Sequence, residues 1–125
     1  RPSGGREVAG SNPVAPTIKI MNEKLKFFYT TCQNLTEARK LSEVLVKKKI
    51  AVCINIIKNI ESLYLEKGKI HRSLEVGLII KTFENKKRIE KSINYYHSYE
   101  IPFIAEIKIG DVGKKYLDWA KVSIK

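Results

Sequence analysis

The spacing of apolar residues changes several times along the chain, and each change marks an element. Phe27, Phe28, Tyr29, Thr30, Thr31 and Cys32 form a short aromatic and β-branched run, which reads as a strand. Asn34 followed by Glu37 has the spacing of a capping box, with Asn in place of the usual Ser or Thr. Behind it Leu35, Ala38, Leu41 and Leu45 repeat at helical spacing, while Arg39, Lys40, Glu43 and Lys47 fall on the polar side. Lys47, Lys48 and Lys49 then occupy the last turn, where cations suit the negative helix end and no phosphate is required to explain them. Ala51 to Ile57 is a run dense enough to predict a strand buried on both faces over part of its length. Alternation resumes from Ile60 to Glu66, and Glu66-Lys67-Gly68-Lys69 reads as a hairpin turn. The return strand carries Ile70 and then Leu74 to Phe83, with Val76, Leu78 and Ile80 on one face.

A second helix opens around Thr82 to Asn85, with Ile89, Ile93 and Tyr96 as its stripe. It ends by His97, because Pro102 drives Ile101 out of helical dihedrals. Phe103 to Ile109 alternates and predicts a strand, broken by Gly110-Asp111. Val112, Tyr116, Trp119 and Ala120 then line a short C-terminal helix, with Asp111 as its expected cap. The order is β-α-β-β-α-β plus a tail helix, which is the ferredoxin-like α+β arrangement of an antiparallel sheet backed by two helices. Its other face is also apolar and has no helix left to cover it, so further copies of the chain are expected to do so.

Residues 1–20 break this patterning. Prolines, glycines and serines dominate, without periodicity, and the segment reads as an unstructured leader or a start misassigned upstream of Met21. The folded domain is expected over 21–125. At 125 residues and 14.3 kDa there is room for one domain and a modest core. No apolar run approaches the length needed to span a bilayer, and no secretory signal pattern is present, so no membrane partner is expected. Cys32 and Cys53 have no close spacing, which favours a reducing, cytoplasmic compartment. The net charge is +11, but the excess is mostly scattered lysine without arginine forks or interleaved aromatics. A solvated basic surface, rather than a nucleic-acid partner, is the reading adopted from sequence.

Chemistry is sparse. No phosphate loop, dinucleotide turn, nucleophile elbow or zinc-protease motif occurs, and the chain reads as a non-enzyme. Candidate metal ligands are Cys32, Cys53, His71 and His97, and none of their spacings forms a local chelate. Either cysteine serves equally as a small buried hydrophobe. His71 is expected to be exposed beyond the hairpin turn, and His97 to bond backbone at the end of its helix.

Several segments together resemble the CutA divalent-ion-tolerance proteins. They are Thr30-Thr31-Cys32 with Glu37-Ala38-Arg39, Ala51-Val52-Cys53-Ile54-Asn55-Ile56, and Ile60-Glu61-Ser62-Leu63-Tyr64 with Glu66-Lys67-Gly68-Lys69-Ile70. Glu75 through Thr82, His97-Ser98-Tyr99-Glu100-Ile101-Pro102 and Tyr116-Leu117-Asp118-Trp119 complete the set, in order, over about residues 26–120. The resemblance implies a homotrimer of ferredoxin-like subunits, similar in architecture to PII signalling proteins, in the bacterial or organellar cytoplasm. It implies tolerance to copper and other divalent cations, with weak metal binding around Cys53 and His97 and no other cofactor. It also implies clefts between subunits, for which Asn55, Tyr64, Lys67 and Glu100 are candidate lining residues. A PII-like module for a small ligand or an unknown protein partner is the alternative. A purely structural trimer is the third, in which Tyr64, Tyr99 and Trp119 are packing residues. The chain departs from the family pattern at Gln33, Leu65, Ser98 and Phe103, where Pro, Trp, Pro and a polar residue are usual.

Overall fold

The computed structural model describes residues 24–125, and the expectations for the leader and for Met21 lie outside them. Strand β1 (Lys26–Cys32) leads through Gln33 and Asn34 into helix α1 (Leu35–Lys47). The long strands β2 (Cys53–Glu66) and β3 (Lys69–Thr82) follow, then α2 (Lys86–Tyr96), a short β4 (Ala105–Ile107) and α3 (Lys114–Ser123). The four strands form one antiparallel sheet in the order β2-β3-β1-β4. This is the ferredoxin-like arrangement expected from the pattern.

Local chemistry sets the helix starts. Asn34 Oδ1 accepts from the Glu37 amide at 2.8 Å, and Asn85 Oδ1 accepts from the Arg88 amide at 2.8 Å, each satisfying one of the open N–H groups of a first turn. Ala38, Leu41 and Leu45 of α1 and Ile89 and Ile93 of α2 then bury their stripes on Phe28, Leu78 and Ile80 of the sheet. Thr82 ties this layer to the loop before β2: its hydroxyl donates to the Ile50 carbonyl at 2.6 Å and accepts from the Glu84 amide at 2.9 Å. That satisfies a buried polar group at the sheet's end.

Several expectations need correction. β2 is one continuous strand with a bulge between Ile57 and Ile60, where Asn59 takes φ 62°. It is not buried on both faces, because it lies at the edge of the sheet and only Cys53, Ile54, Ile56, Ile60 and Ser62 are even half-buried. The strand expected over 103–109 contracts to three residues, since β1 pairs with it only from Phe27↔Ile107 to Tyr29↔Ala105. Gly113, not Asp111, is the N-cap of α3, and no side chain bonds there.

The far face of the sheet is also not wholly bare. α3 folds over one end of it, where Tyr116 and Leu117 pack with Phe27, Cys53, Val52 and Ala120. The Lys81 ammonium lies over the rings of Phe27 and Tyr116, at 5.8 and 5.2 Å from their centroids. Beyond α3 this face presents Tyr29, Ile57, Ile79 and Phe103, with Phe103 edge-on to Tyr29. Close packing continues under it at Gly77, where an added Cβ would meet Ile60 Cδ1 at 2.5 Å. The hairpin tip turns through Lys67 (φ 52°) and Gly68 (φ 76°), the left-handed pair that suits a tight β-hairpin.

Candidate functional site

The densest polar chemistry lies where β1 ends and α2 stops. Cys32 closes β1 with its side chain toward the helices, and His97 is the C-cap residue of α2, its amide donating to the Ile93 carbonyl at 2.8 Å. The imidazole swings back to β1. The Tyr99 amide donates to Nδ1 at 2.9 Å, so that nitrogen carries the lone pair and Nε2 carries the proton. Nε2–H in turn donates to the Thr31 carbonyl at 2.7 Å, with Cys32 Sγ 3.7 Å away. His97 thus pins the 97–104 loop to the end of β1.

Glu75 of β3 anchors the other side. Its carboxylate accepts from Ser62 Oγ at 2.6 Å and from the Tyr99 hydroxyl at 2.8 Å. Burial pushes this carboxyl up, but the bonds from Ser62, Tyr99 and Thr31 and the nearby His97 outweigh it, so Glu75 titrates below the usual value. Tyr99 responds in the opposite sense: burial first, then its bond to Glu75, raise its phenol to about 12. Burial, reinforced by Glu37 and Glu75, raises the Cys32 thiol to about 11.

These states limit the chemistry. A thiol protonated at neutral pH, facing an imidazole N–H rather than a lone pair, has no base to activate it. The same geometry bears on metal: a cation on His97 Nε2 would displace the Thr31 bond, and one on Nδ1 would displace the Tyr99 amide. Among the described residues no group of three or more His, Cys, Asp or Glu converges as a cation cage. A cavity of about 250 Å³ does open beside the cluster, lined by Cys32, Glu37, Lys40, Tyr96, His97 and Ser98. Its Glu37 and Lys40 side chains meet at 4.0 Å, giving it polar groups of both signs.

The expected metal pair is not brought together within one chain. Cys53 pairs with Lys81, which pairs with Phe27, so it sits at the opposite end of β1 from Cys32 and His97. Five residues of strand separate the two levels, roughly 17 Å. There Cys53 packs in the second core cluster, and it is the polar group that acts on the buried Tyr116 hydroxyl, which has no well-formed hydrogen bond.

The candidate cleft residues are likewise spread out. Asn55 faces outward from β2 opposite Ile79, Tyr64 lies far along the hairpin, Lys67 is in its turn, and Glu100 is exposed in the loop after α2. Tyr64 stacks on His71 at 5.5 Å, and His71 reaches Glu66 at 3.9 Å. Tyr99 acts through its hydroxyl and amide as well as by packing. Trp119 rests against Tyr116 at 5.3 Å and remains 52% exposed. Glu75 and Ser62 are the site residues that sequence spacing did not single out. The available signal was a carboxylate next to the apolar run Val76-Gly77-Leu78 on a strand that then enters the core.

The model of the family described as CutA1 divalent ion tolerance protein matches residues 26–123. The chain is 36% identical over 92 residues to the divalent-cation tolerance protein CutA of Thermococcus kodakarensis, covering 73% of this chain and 88% of that protein. It is 35% identical over 98 residues to the chloroplastic protein CutA of Arabidopsis thaliana, covering 78% of this chain but only 54% of that protein. The chain therefore spans about half the length of this plant relative. The crystal structure of CutA1 from Oryza sativa superposes with a TM-score of 0.74 at 32% identity, covering 79% of this chain and 92% of that one. The periplasmic divalent cation tolerance protein CutA from Archaeoglobus fulgidus gives 0.72 at 31% identity, covering 82% and 100%.

Proposed function

Since this chain belongs to the CutA1 divalent ion tolerance family, we propose that it serves cation tolerance as a homotrimer whose cation contacts lie between subunits. The observation that carries this reading is the β2–β3 hairpin, where Leu63, Leu65, Ile70 and Leu74 are 57% to 72% exposed along a sheet edge. An apolar edge of that length invites pairing with another copy. Three copies, the number the family resemblance implies, close the hairpins and the rest of the far face together.

Copper is the assigned cation, held weakly as cargo, with Cys53 as its thiol contact, since thiolates favour soft Cu(I). Cys53 is half-buried at the margin of α3, which leaves its thiol open to a contact from a neighbouring subunit. The residues of one subunit do not fit a closed metal centre, and His97 is assigned to holding the 97–104 loop. Two free cysteines suit the cytoplasm.

Sedimentation velocity and a Cu(I) competition titration test the reading. The expected mass is three times the 14.3 kDa chain. Cys53→Ala is expected to abolish Cu(I) binding, while His97→Ala and Cys32→Ala keep it. A folded single chain at micromolar concentration, or unchanged binding in Cys53→Ala, refutes it. The cavity beside Cys32 favours a second reading, a PII-like module for a small polar ligand, in which ligand binding would shift the amide resonances of Lys40, His97 and Ser98 and leave those around Cys53 unaffected.

A further inference from the structure

The positive charge of this protein is concentrated at one end. The second core cluster joins Leu25, Val52, Phe83 and Ala120, with Ile124 packed beside them, where β1 starts and β3 stops. The chain flanking each of these residues is basic. Lys24 and Lys26 enclose Leu25, the triplet 47–49 lies just before Val52, Lys86-Lys87-Arg88 come after Phe83 beyond Glu84 and Asn85, and Lys121 and Lys125 adjoin Ala120 and Ile124. Lys49 Nζ reaches the Lys125 carbonyl at 2.5 Å, which draws the end of α1 to the end of the chain.

Acidic groups are interspersed with the basic ones along the hairpin and α1, and are sparse at this end. Along the hairpin and the start of α1, Arg72 pairs with Glu61, His71 with Glu66 and Lys40 with Glu37. At the basic end Asp118 is taken by Lys114 at 2.8 Å, and Glu84 and Asp111 stand among many more lysines. Among the described residues Lys48, Lys86, Lys87 and Arg88 have no ion-pair partner. The last three also occupy the first turn of α2, where like charge meets the positive end of the helix dipole.

Within this end, α3 exposes Trp119 (52%) and Val122 (64%), three residues apart and therefore neighbours on its surface. Lys115 lies one turn before Trp119. An exposed apolar pair among lysines matches the interface of an anionic bilayer: the rings and methyls enter the headgroup boundary, and the ammonium groups reach the phosphates. Lysine point charges and an exposed valine suit that surface better than a nucleic acid, whose recognition favours arginine forks and stacked rings.

We propose that this lysine-rich end, with Trp119 and Val122 at its centre, docks on the face of an anionic phospholipid membrane. The sequence expectation of no membrane partner rested on the absence of a spanning segment, and no described helix is long and apolar enough to span. Surface adsorption needs none.

Trp119 is the only tryptophan of the chain, so its emission reports docking directly. The full chain is mixed with vesicles of phosphatidylcholine alone, with vesicles also containing phosphatidylglycerol, and with a DNA duplex at the same phosphate concentration. Expected are co-sedimentation with the anionic vesicles only, a blue shift of Trp119, and reversal by salt. Lys86→Glu/Lys87→Glu relieves the dipole conflict and so keeps the fold, yet should weaken partitioning at least tenfold, on about fivefold per lysine. Lys48→Gln/Lys121→Gln should weaken it in the same direction. Equal partitioning onto neutral vesicles, an unshifted Trp119, unchanged binding in both double variants, or stronger binding to the duplex would each overturn the proposal.

Discussion

Tyr99→Phe removes one oxygen and tests the network that joins β3 to the loop after α2. In the wild type the phenol donates to Glu75 Oε2 at 2.8 Å, while Ser62 holds Oε1 at 2.6 Å. A hydrogen bond to an ionised carboxylate is worth about 1.5–3 kcal/mol. Both residues here are half-buried and Glu75 keeps its Ser62 bond, so the expected loss is at the lower end, about 1.5–2 kcal/mol. The assay is urea unfolding at fixed protein concentration, because assembly makes apparent stability concentration-dependent.

The pH dependence identifies the cause. Glu75 titrates below the ordinary carboxyl value in the folded protein, so its stabilisation is present above that ordinary value and fades as pH falls through the depressed one. The difference between wild type and Tyr99→Phe should therefore be full at about pH 7 and shrink below about pH 4. In a Glu75→Gln background the acceptor is neutral and the same substitution should cost roughly half as much. A penalty undiminished in acid, or absent at neutral pH, would refute the charge-assisted bond as its source.

Two further outcomes follow from the same cluster. At mildly alkaline pH Cys32, 1% exposed with its thiol raised to about 11, should react with a maleimide far more slowly than half-buried Cys53, and peptide mapping with Cys32 labelled first would contradict this. Nitrogen-15 NMR at neutral pH should find the His97 proton on Nε2, as the Tyr99 and Thr31 bonds require; a proton on Nδ1 would show that the loop is held some other way.

Helices α1 and α2 were legible because each carries a one-sided stripe, Ala38-Leu41-Leu45 or Ile89-Ile93, behind an asparagine cap. The hairpin was legible from Lys67-Gly68 and the alternation on either side. Residues 103–109 misled because alternation measures burial, whereas Phe103 remains exposed ahead of β4 and Ile107 on it, and β4 meets β1 over only three residues. β2 misled in the same way: its isoleucines are dense, but at the edge of the sheet Ile54, Ile56 and Ile60 are only half-buried and Ile57 is exposed. The site was harder to read. Cys32 and His97 are 65 residues apart and meet only because α2 ends beside the last residue of β1. Cys53 and Cys32 look equivalent in the sequence, and only strand register shows that they lie at opposite ends of the sheet.

The pairing order of the sheet also constrains how the chain assembles itself. β2 and β3 are neighbours in sequence and can zip from the Lys67-Gly68 turn at once, whereas β1 must wait for partners from Val76 to Thr82 and then from Ala105 to Ile107. During synthesis, therefore, the greasy hairpin forms with the outer edge of β2 open, and β1, once laid against β3, keeps its own outer edge open until the last strand has left the ribosome. Sister chains growing on one message then hold matching open margins close together, so association between copies can begin before any single copy has finished folding.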